Sequence, residues 1–88
     1  MSSNATLRLE SIQELANMGR TGQRVVIDQS MLDDDFDDLG VDSLALIELV
    51  DRIQEAHRVR VDDDEVSTLR TPRLLLAHVN GLLKSRAR

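Results

Sequence analysis

The chain has 88 residues, of which 41% are hydrophobic, and its formal net charge is −5. This length fits one small domain spanning residues 1–88, which buries only about 60–65% of its unfolded surface. The lack of cysteine excludes disulfides and thiolate metal sites. The N-terminus has no signal-peptide pattern, and no apolar run approaches the ~20 residues that span a bilayer. We therefore expect a cytoplasmic protein that does not contact membranes.

The charges are distributed unevenly along the chain. Residues 31–65 contain thirteen acidic and three basic side chains, whereas residues 66–88 contain five basic and no acidic ones. An acidic middle argues against nucleic-acid binding, which needs a basic footprint. It favours partner proteins with basic surfaces, whose encounter it would accelerate. A merely solvated acidic surface is the alternative.

A first helix is predicted over about residues 4–18, ending at Gly19. Its apolar positions recur at helical spacing, at Leu9, Ile12, Leu15 and Ala16. Residues 19–42 show no sustained period. Residues 25–27 (VVI) could form a strand, but such a strand has no evident partner.

So long a connection is uncommon in a compact domain and is usually functional. Its apolar side chains are expected to hold it against the core: Leu32, Phe36, Leu39 and Val41.

The strongest helical pattern begins near Ser43, with Asp42 or Ser43 as its N-cap. Its apolar stripe comprises Leu46, Leu49, Val50, Ile53 and His57, widened by Ile47. A short helical turn is predicted over residues 62–66.

Thr71 and Pro72 mark the start of the last helix, because threonine caps and proline is tolerated at the first helical position. The aliphatic stripe of this helix comprises Leu75, Leu76, Val79, Leu82 and Leu83. The sequence thus predicts an all-α four-helix bundle, with three main helices, one short helix and a long loop between helices one and two. Residues 1–3 and 85–88 are expected to be disordered tails.

Ser43 is the candidate functional residue. A helix N-terminus tolerates an attached phosphate well, because of its unpaired N–H groups and partial positive charge. A catalytic serine would need a nearby base, but His57 lies about 21 Å further along the same predicted helix, and nothing marks His78 as a base. The residues therefore favour a modified serine or a simple helix cap over a nucleophile.

The acidic run at residues 33–38 fails the EF-hand pattern, which requires glycine at position six and glutamate at position twelve. Counted from Asp33, those positions hold Asp38 and Leu44.

Two segments carry a resemblance to a known family. Residues 36–49 (FDDLGVDSLALIEL) resemble the modification site of acyl carrier proteins. Residues 71–75 (TPRLL) and 79–82 (VNGL) are similar to the last helix of carriers from bacterial type II (aromatic) polyketide synthases.

The resemblance implies a non-catalytic carrier of polyketide or acyl chains. Ser43 would accept 4′-phosphopantetheine from coenzyme A through a separate, magnesium-dependent phosphopantetheinyl transferase, and the thiol of this arm would hold the chains as thioesters. Ketosynthase, acyltransferase and tailoring enzymes with basic patches would dock on the second helix. The implied docking residues of this monomeric carrier are Asp42, Leu44, Glu48, Asp51 and Glu55.

Three alternatives stay open at the level of sequence. The chain could be a carrier for fatty-acid, peptidyl or other specialised pathways. It could be an unmodified acidic helical adaptor, with Ser43 only a cap. It could also be a calcium-binding helical protein.

Overall fold

The computed structural model describes residues 6–20, 22 and 24–86. These residues form four α-helices and no strand: α1 (Leu9–Asn17), α2 (Ser43–His57), α3 (Asp63–Val66) and α4 (Pro72–Arg86). Two short 3-10 helices, Gln29–Met31 and Phe36–Leu39, lie in the loop between α1 and α2. The predicted all-α four-helix bundle is therefore confirmed. No helix in the described ranges is both long enough and apolar enough to cross a bilayer.

The core lies between α1, α2 and α4 and is almost entirely aliphatic. Phe36 is the exception; it is only 1% exposed and fixes the acidic loop to the bundle. Val41 is also buried, while Leu32 and Leu39 are half-buried, so the loop is held down as predicted. The helices contribute Ile12, Ala16, Leu46, Leu49, Val50, Ile53, Leu75, Val79 and Leu83.

Helix α1 begins later than predicted, because a contact distant in sequence holds the chain extended before it. The Leu7 N–H donates to Asn80 Oδ1 at 2.7 Å, and Asn80 Nδ2 donates to the Leu7 carbonyl at 3.1 Å. Leu7 is buried, and Arg8 is the extended N-cap. The predicted start near residue 4 is thus wrong for residues 6–8, while residues 4 and 5 lie outside the described ranges.

Residues 25–27 are extended, but they pair with side chains rather than with a strand. Asn17 accepts from the Val25 N–H at 2.7 Å and donates to the Val25 carbonyl at 2.9 Å. Gln13 Oε1 accepts from the Ile27 N–H at 2.8 Å. Two polar side chains of α1 therefore satisfy this segment, which explains how it remains stable without a partner strand.

The predicted stripe of α2 is only partly correct. Ile47 is 48% exposed, because a residue next to Leu46 is turned about 100° away from it around the helix. His57, at the last helical turn, is half-buried.

The start of α4 is confirmed at Pro72, where Thr71 Oγ1 accepts from the Leu74 N–H at 3.2 Å. The predicted short helix is α3, with Asp62 as its N-cap. Because α4 continues to Arg86, residues 85 and 86 are helical rather than part of a disordered tail. Residues 1–3, 87 and 88 lie outside the described ranges.

Candidate functional site

Ser43 is the first residue of α2, and its side chain is exposed. The N-cap is Asp42, whose Oδ1 accepts from the Ala45 N–H at 2.8 Å. The Asp42 carbonyl accepts from the Leu46 N–H at 2.8 Å. Among the described residues, none forms a hydrogen bond with the Ser43 hydroxyl. Of the two predicted cap candidates, Asp42 is therefore the cap, and the Ser43 hydroxyl remains accessible.

The turn before α2 positions this serine. The second 3-10 helix ends at Gly40, whose φ of 91° lies in the left-handed region that favours glycine. The next residue, Val41, is buried and donates its N–H to the Phe36 carbonyl at 2.9 Å. With Phe36 and Val41 fixed in the core, Asp42 and Ser43 emerge together at the surface.

A cleft of about 350 Å³ opens beside Ser43, between α2, α3 and the segment that precedes α4. Leu46 and Val66 are buried and form its apolar floor, while Asp63, Ser67 and Arg70 are exposed at its rim. Ile47 also lines the cleft, which accounts for an exposed apolar residue at that position. A volume of this size falls in the range of small-molecule sites. The exposed hydroxyl therefore lies at the edge of a space that can receive a slender, largely apolar group.

Two ion pairs attach the acidic loop to the start of α4. Arg70 donates to Asp35 through Nε (3.0 Å) and Nη2 (3.2 Å). Arg73 donates to Asp33 through Nε (2.7 Å) and Nη2 (3.2 Å). We call these the loop–α4 ion pairs.

The loop–α4 ion pairs change the acid–base properties of their members. Hydrogen bonds from the arginines lower the pKa of Asp33 and of Asp35, and they raise the pKa of both guanidinium groups. These pairs were not predicted from the sequence. The one signal in the sequence was the basic segment at residues 66–88, which complements the acidic run but does not specify which residues pair.

The implied docking residues lie on one exposed face. Leu44, Glu48, Asp51 and Glu55 are spaced i, i+4, i+7 and i+11 along α2, and all four are exposed. Leu44 is 66% exposed, more than any other large hydrophobic residue in the described ranges. Asp42 lies at the start of this face, but its carboxylate is engaged in the cap. The structure thus places these residues on one exposed face of α2, which begins beside Ser43 and extends along the helix.

The two histidines lie at the end of α2 and within α4. His57 ends α2, and His78 Nε2 lies 3.2 Å from Glu65 Oε1, in a contact between α4 and α3. Neither histidine is among the described residues that line the cavities beside Ser43. Within the described part of the chain, no group of three or more His, Cys, Asp or Glu side chains is arranged to hold a metal ion.

Comparisons with known proteins agree with this geometry. The family model described as "Phosphopantetheine attachment site" matches residues 24–79. An anthracycline acyl carrier protein, DpsG of Streptomyces peucetius, is 40% identical over 52 residues, which cover 59% of this chain and 62% of DpsG. The actinorhodin polyketide synthase acyl carrier protein of Streptomyces coelicolor is 43% identical over 56 residues, covering 64% of this chain and 65% of the relative. The chain thus aligns with somewhat less than two thirds of each relative's length.

The fold is also that of solved carrier structures. The solution structure of the 3,7-dioxo-octyl actinorhodin acyl carrier protein from S. coelicolor superposes with a TM-score of 0.80 at 29% identity, covering 93% of this chain and 96% of that one. The acetyl form gives a TM-score of 0.78 at 33% identity, covering 93% and 98%. This chain therefore belongs to the family of proteins with a phosphopantetheine attachment site, and it has the helical-bundle fold of acyl carrier proteins.

Proposed function

We propose that this protein is an acyl carrier protein of a type II polyketide synthase, with 4′-phosphopantetheine attached covalently to Ser43. The observation that carries the proposal is the exposed, unbonded Ser43 hydroxyl at the start of α2, beside an open cleft. The similarity to carriers of anthracycline and actinorhodin synthases supports the pathway class.

The local geometry suits attachment by a separate enzyme. In that reaction Ser43 Oγ loses its proton and forms a bond to the pantetheine-bearing phosphorus of coenzyme A, while the pyrophosphate bond breaks and adenosine 3′,5′-bisphosphate leaves. Asp42 already caps α2, so Ser43 can be modified without breaking a helix-stabilising hydrogen bond. The first N–H groups of α2 and its dipole favour a negative charge at this position. A magnesium-dependent phosphopantetheinyl transferase of the cytoplasm would supply the arm and the base.

The protein itself acts as a carrier and not as a catalyst in this proposal. The attached arm supplies a terminal thiol that forms thioesters, a chemistry this cysteine-free chain cannot provide. The residues of the chain hold the arm, cover part of it and present it to other enzymes.

The cargo we propose is a growing acyl or polyketide chain. Solved actinorhodin carriers hold groups as different as acetyl and 3,7-dioxo-octyl. In this chain, the buried Leu46 and Val66 offer apolar contact for methylene groups, and Ser67 and Arg70 offer hydrogen-bond donors at the rim for keto oxygens.

Docking is proposed to use the exposed face of α2 formed by Leu44, Glu48, Asp51 and Glu55, with Asp42 at its edge. The acidic side chains would attract basic patches on the transferase, ketosynthase, acyltransferase and tailoring enzymes. Leu44 would supply an apolar contact at the end of this face nearest Ser43, because exposed apolar residues rimmed by charge are typical of protein interfaces.

The test is enzymatic loading followed by intact-mass measurement. Purified protein is incubated with coenzyme A, Mg²⁺ and a transferase of broad specificity. Wild type should gain one phosphopantetheine group, and Ser43→Ala should gain none. Ser67→Ala is the matched control, because Ser67 is also an exposed serine on the same cleft, and this variant should load normally. An unmodified wild type, or a loaded Ser43→Ala variant, would contradict the proposal.

A further inference from the structure

The cleft beside Ser43 has one feature that neither the helix N-terminus nor the docking face explains, namely the guanidinium of Arg70. Arg70 lines this cleft together with Ser43. The same two residues also line a second, very small hollow of about 10 Å³, so Arg70 and Ser43 border the same two spaces. Arg70 is the only lysine or arginine among the described residues that line these two cavities.

The surroundings of Ser43 are otherwise acidic. Asp35, Asp37 and Asp42 line the small hollow, and Asp63 lines the cleft. A phosphodiester on Ser43 would add one more negative charge to this group. Because like charges at short range repel, a nearby cation would help the phosphate to lie against the protein rather than away from it.

Arg70 is held in place to act as that cation. Its carbonyl accepts the Phe36 N–H at 2.7 Å, which anchors its backbone to the loop. Its side chain is fixed by Asp35 through Nε and Nη2. A guanidinium has five N–H donors, so the two used on Asp35 leave three that can reach a second acceptor.

We propose that Arg70 is the counter-charge of the phosphodiester on Ser43, bridging it to Asp35 and thereby directing the attached arm over the cleft between α2 and α3. Planar guanidinium groups bind phosphate oxygens with paired, charge-assisted hydrogen bonds, which are shorter and stronger than neutral ones. Arg70 is therefore a positioning residue for the arm. This inference rests on the proposed attachment at Ser43.

Arg73 provides a matched control for Arg70. It makes the same type of two-bond contact with an aspartate of the same loop, at Asp33. It lines a different hollow, formed with Leu32, Leu76, Ala77 and Asn80, and Ser43 is not part of it. Removing either arginine loses one loop–α4 ion pair, but only Arg70 borders the attachment serine.

The experiment compares apo and phosphopantetheinylated forms of wild type, Arg70→Gln and Arg73→Gln. Intact mass first verifies that each protein is loaded. The arginine Nε–Hε signals in ¹⁵N-labelled wild type and the ³¹P signal of the phosphodiester are then recorded at low ionic strength. Loading should shift the Arg70 Nε–Hε signal and leave that of Arg73 in place. The ³¹P signal should move in Arg70→Gln relative to wild type and stay unchanged in Arg73→Gln.

Unfolding equilibria provide a second readout. For each protein, the equilibrium constant of unfolding is measured in the apo form and in the loaded form. The ratio of the apo constant to the loaded constant should be roughly two- to fivefold smaller in Arg70→Gln than in wild type, as for the loss of an exposed charge pair. In Arg73→Gln this ratio should match wild type. If both Nε–Hε signals stay fixed on loading, or if the two variants behave alike, the proposed role of Arg70 is wrong. The attachment at Ser43 would still stand in that case, because the mass shows that the protein is loaded. If the mass shows no loading of wild type, the attachment proposal itself fails, and the role of Arg70 fails with it.

Discussion

Asp42 caps α2 and Ser43 does not, which leads to a specific prediction about stability. Asp42→Ala removes the 2.8 Å hydrogen bond from the Ala45 N–H to Asp42 Oδ1 and leaves that donor unpaired. Loss of an N-cap to alanine destabilises a protein by about 1 kcal/mol, within a range of roughly 0.5–2. In a domain of this size, about 1 kcal/mol lowers the melting temperature by roughly 4–8 °C.

Two companion variants separate the cap from the charge and from the modification site. Asp42→Asn retains an acceptor at the same position, so its stability should stay within a few tenths of a kcal/mol of wild type, as asparagine caps about as well as aspartate. Ser43→Ala changes a residue already inside the helix, so its effect should stay within about 0.5 kcal/mol. Thermal and urea unfolding, followed by helical circular dichroism, measures all three. If Ser43→Ala were as destabilised as Asp42→Ala, or if Asp42→Ala were unchanged, the assignment of the cap would be refuted.

Three further outcomes are expected. Glu48→Lys should weaken docking to the transferase at low salt by roughly two- to fivefold and flatten the salt dependence of docking. Asp34→Lys makes the same charge change away from α2 and should not weaken docking. Equal effects of the two substitutions would show that only net charge matters. Asn80→Ala leaves the Leu7 N–H and carbonyl without their partner. We expect the free energy of unfolding, measured in urea, to fall by about 1–3 kcal/mol and the amide of Leu7 to exchange faster. An unchanged exchange rate would contradict this contact. The lowered pKa of aspartates such as Asp35 means that their contribution to stability is fully present above the ordinary value of 3.8 and is lost as the pH falls through the folded value. On acidification, the melting temperature of wild type should therefore drop more than that of a variant in which both aspartates of the loop–α4 ion pairs are replaced by asparagine. Parallel melting curves for the two proteins would contradict this contribution.

Local signals in the sequence predict the helix boundaries near the site well. Thr71 and Pro72 fix the start of α4 because capping and the proline ring act within a single turn. The start of α2 is confirmed for the same reason, although the choice between Asp42 and Ser43 as the cap needed the backbone geometry.

The features that the sequence did not predict are those in which residues from other parts of the chain determine the local structure. The start of α1 is set by Asn80, which lies 73 positions from Leu7, so no local pattern could reveal it. The apolar triplet at residues 25–27 forms no strand, in line with the all-α prediction, but its hydrogen bonds to Asn17 and Gln13 of α1 could not be predicted.

The apolar pattern also misplaced one residue of the site. Ile47 fits the helical stripe by hydropathy, yet it faces the cleft because α3 leaves space there. Similarly, Arg70 and Ser43 line the same hollow because the loop folds back onto the start of α4. Composition shows that acidic and basic segments exist, but only the packed chain specifies which charges meet.

The proposed attachment of the arm to one particular hydroxyl, that of Ser43, can be tested residue by residue. The most direct measurement is fragmentation mass spectrometry of peptides from wild-type protein after loading with coenzyme A. We predict that the phosphopantetheine group is found on Ser43, within the peptide that begins the second helix, and on no other serine. Its presence on Ser67 or on any other residue, or an unmodified Ser43 in protein that carries the added mass, would contradict the account.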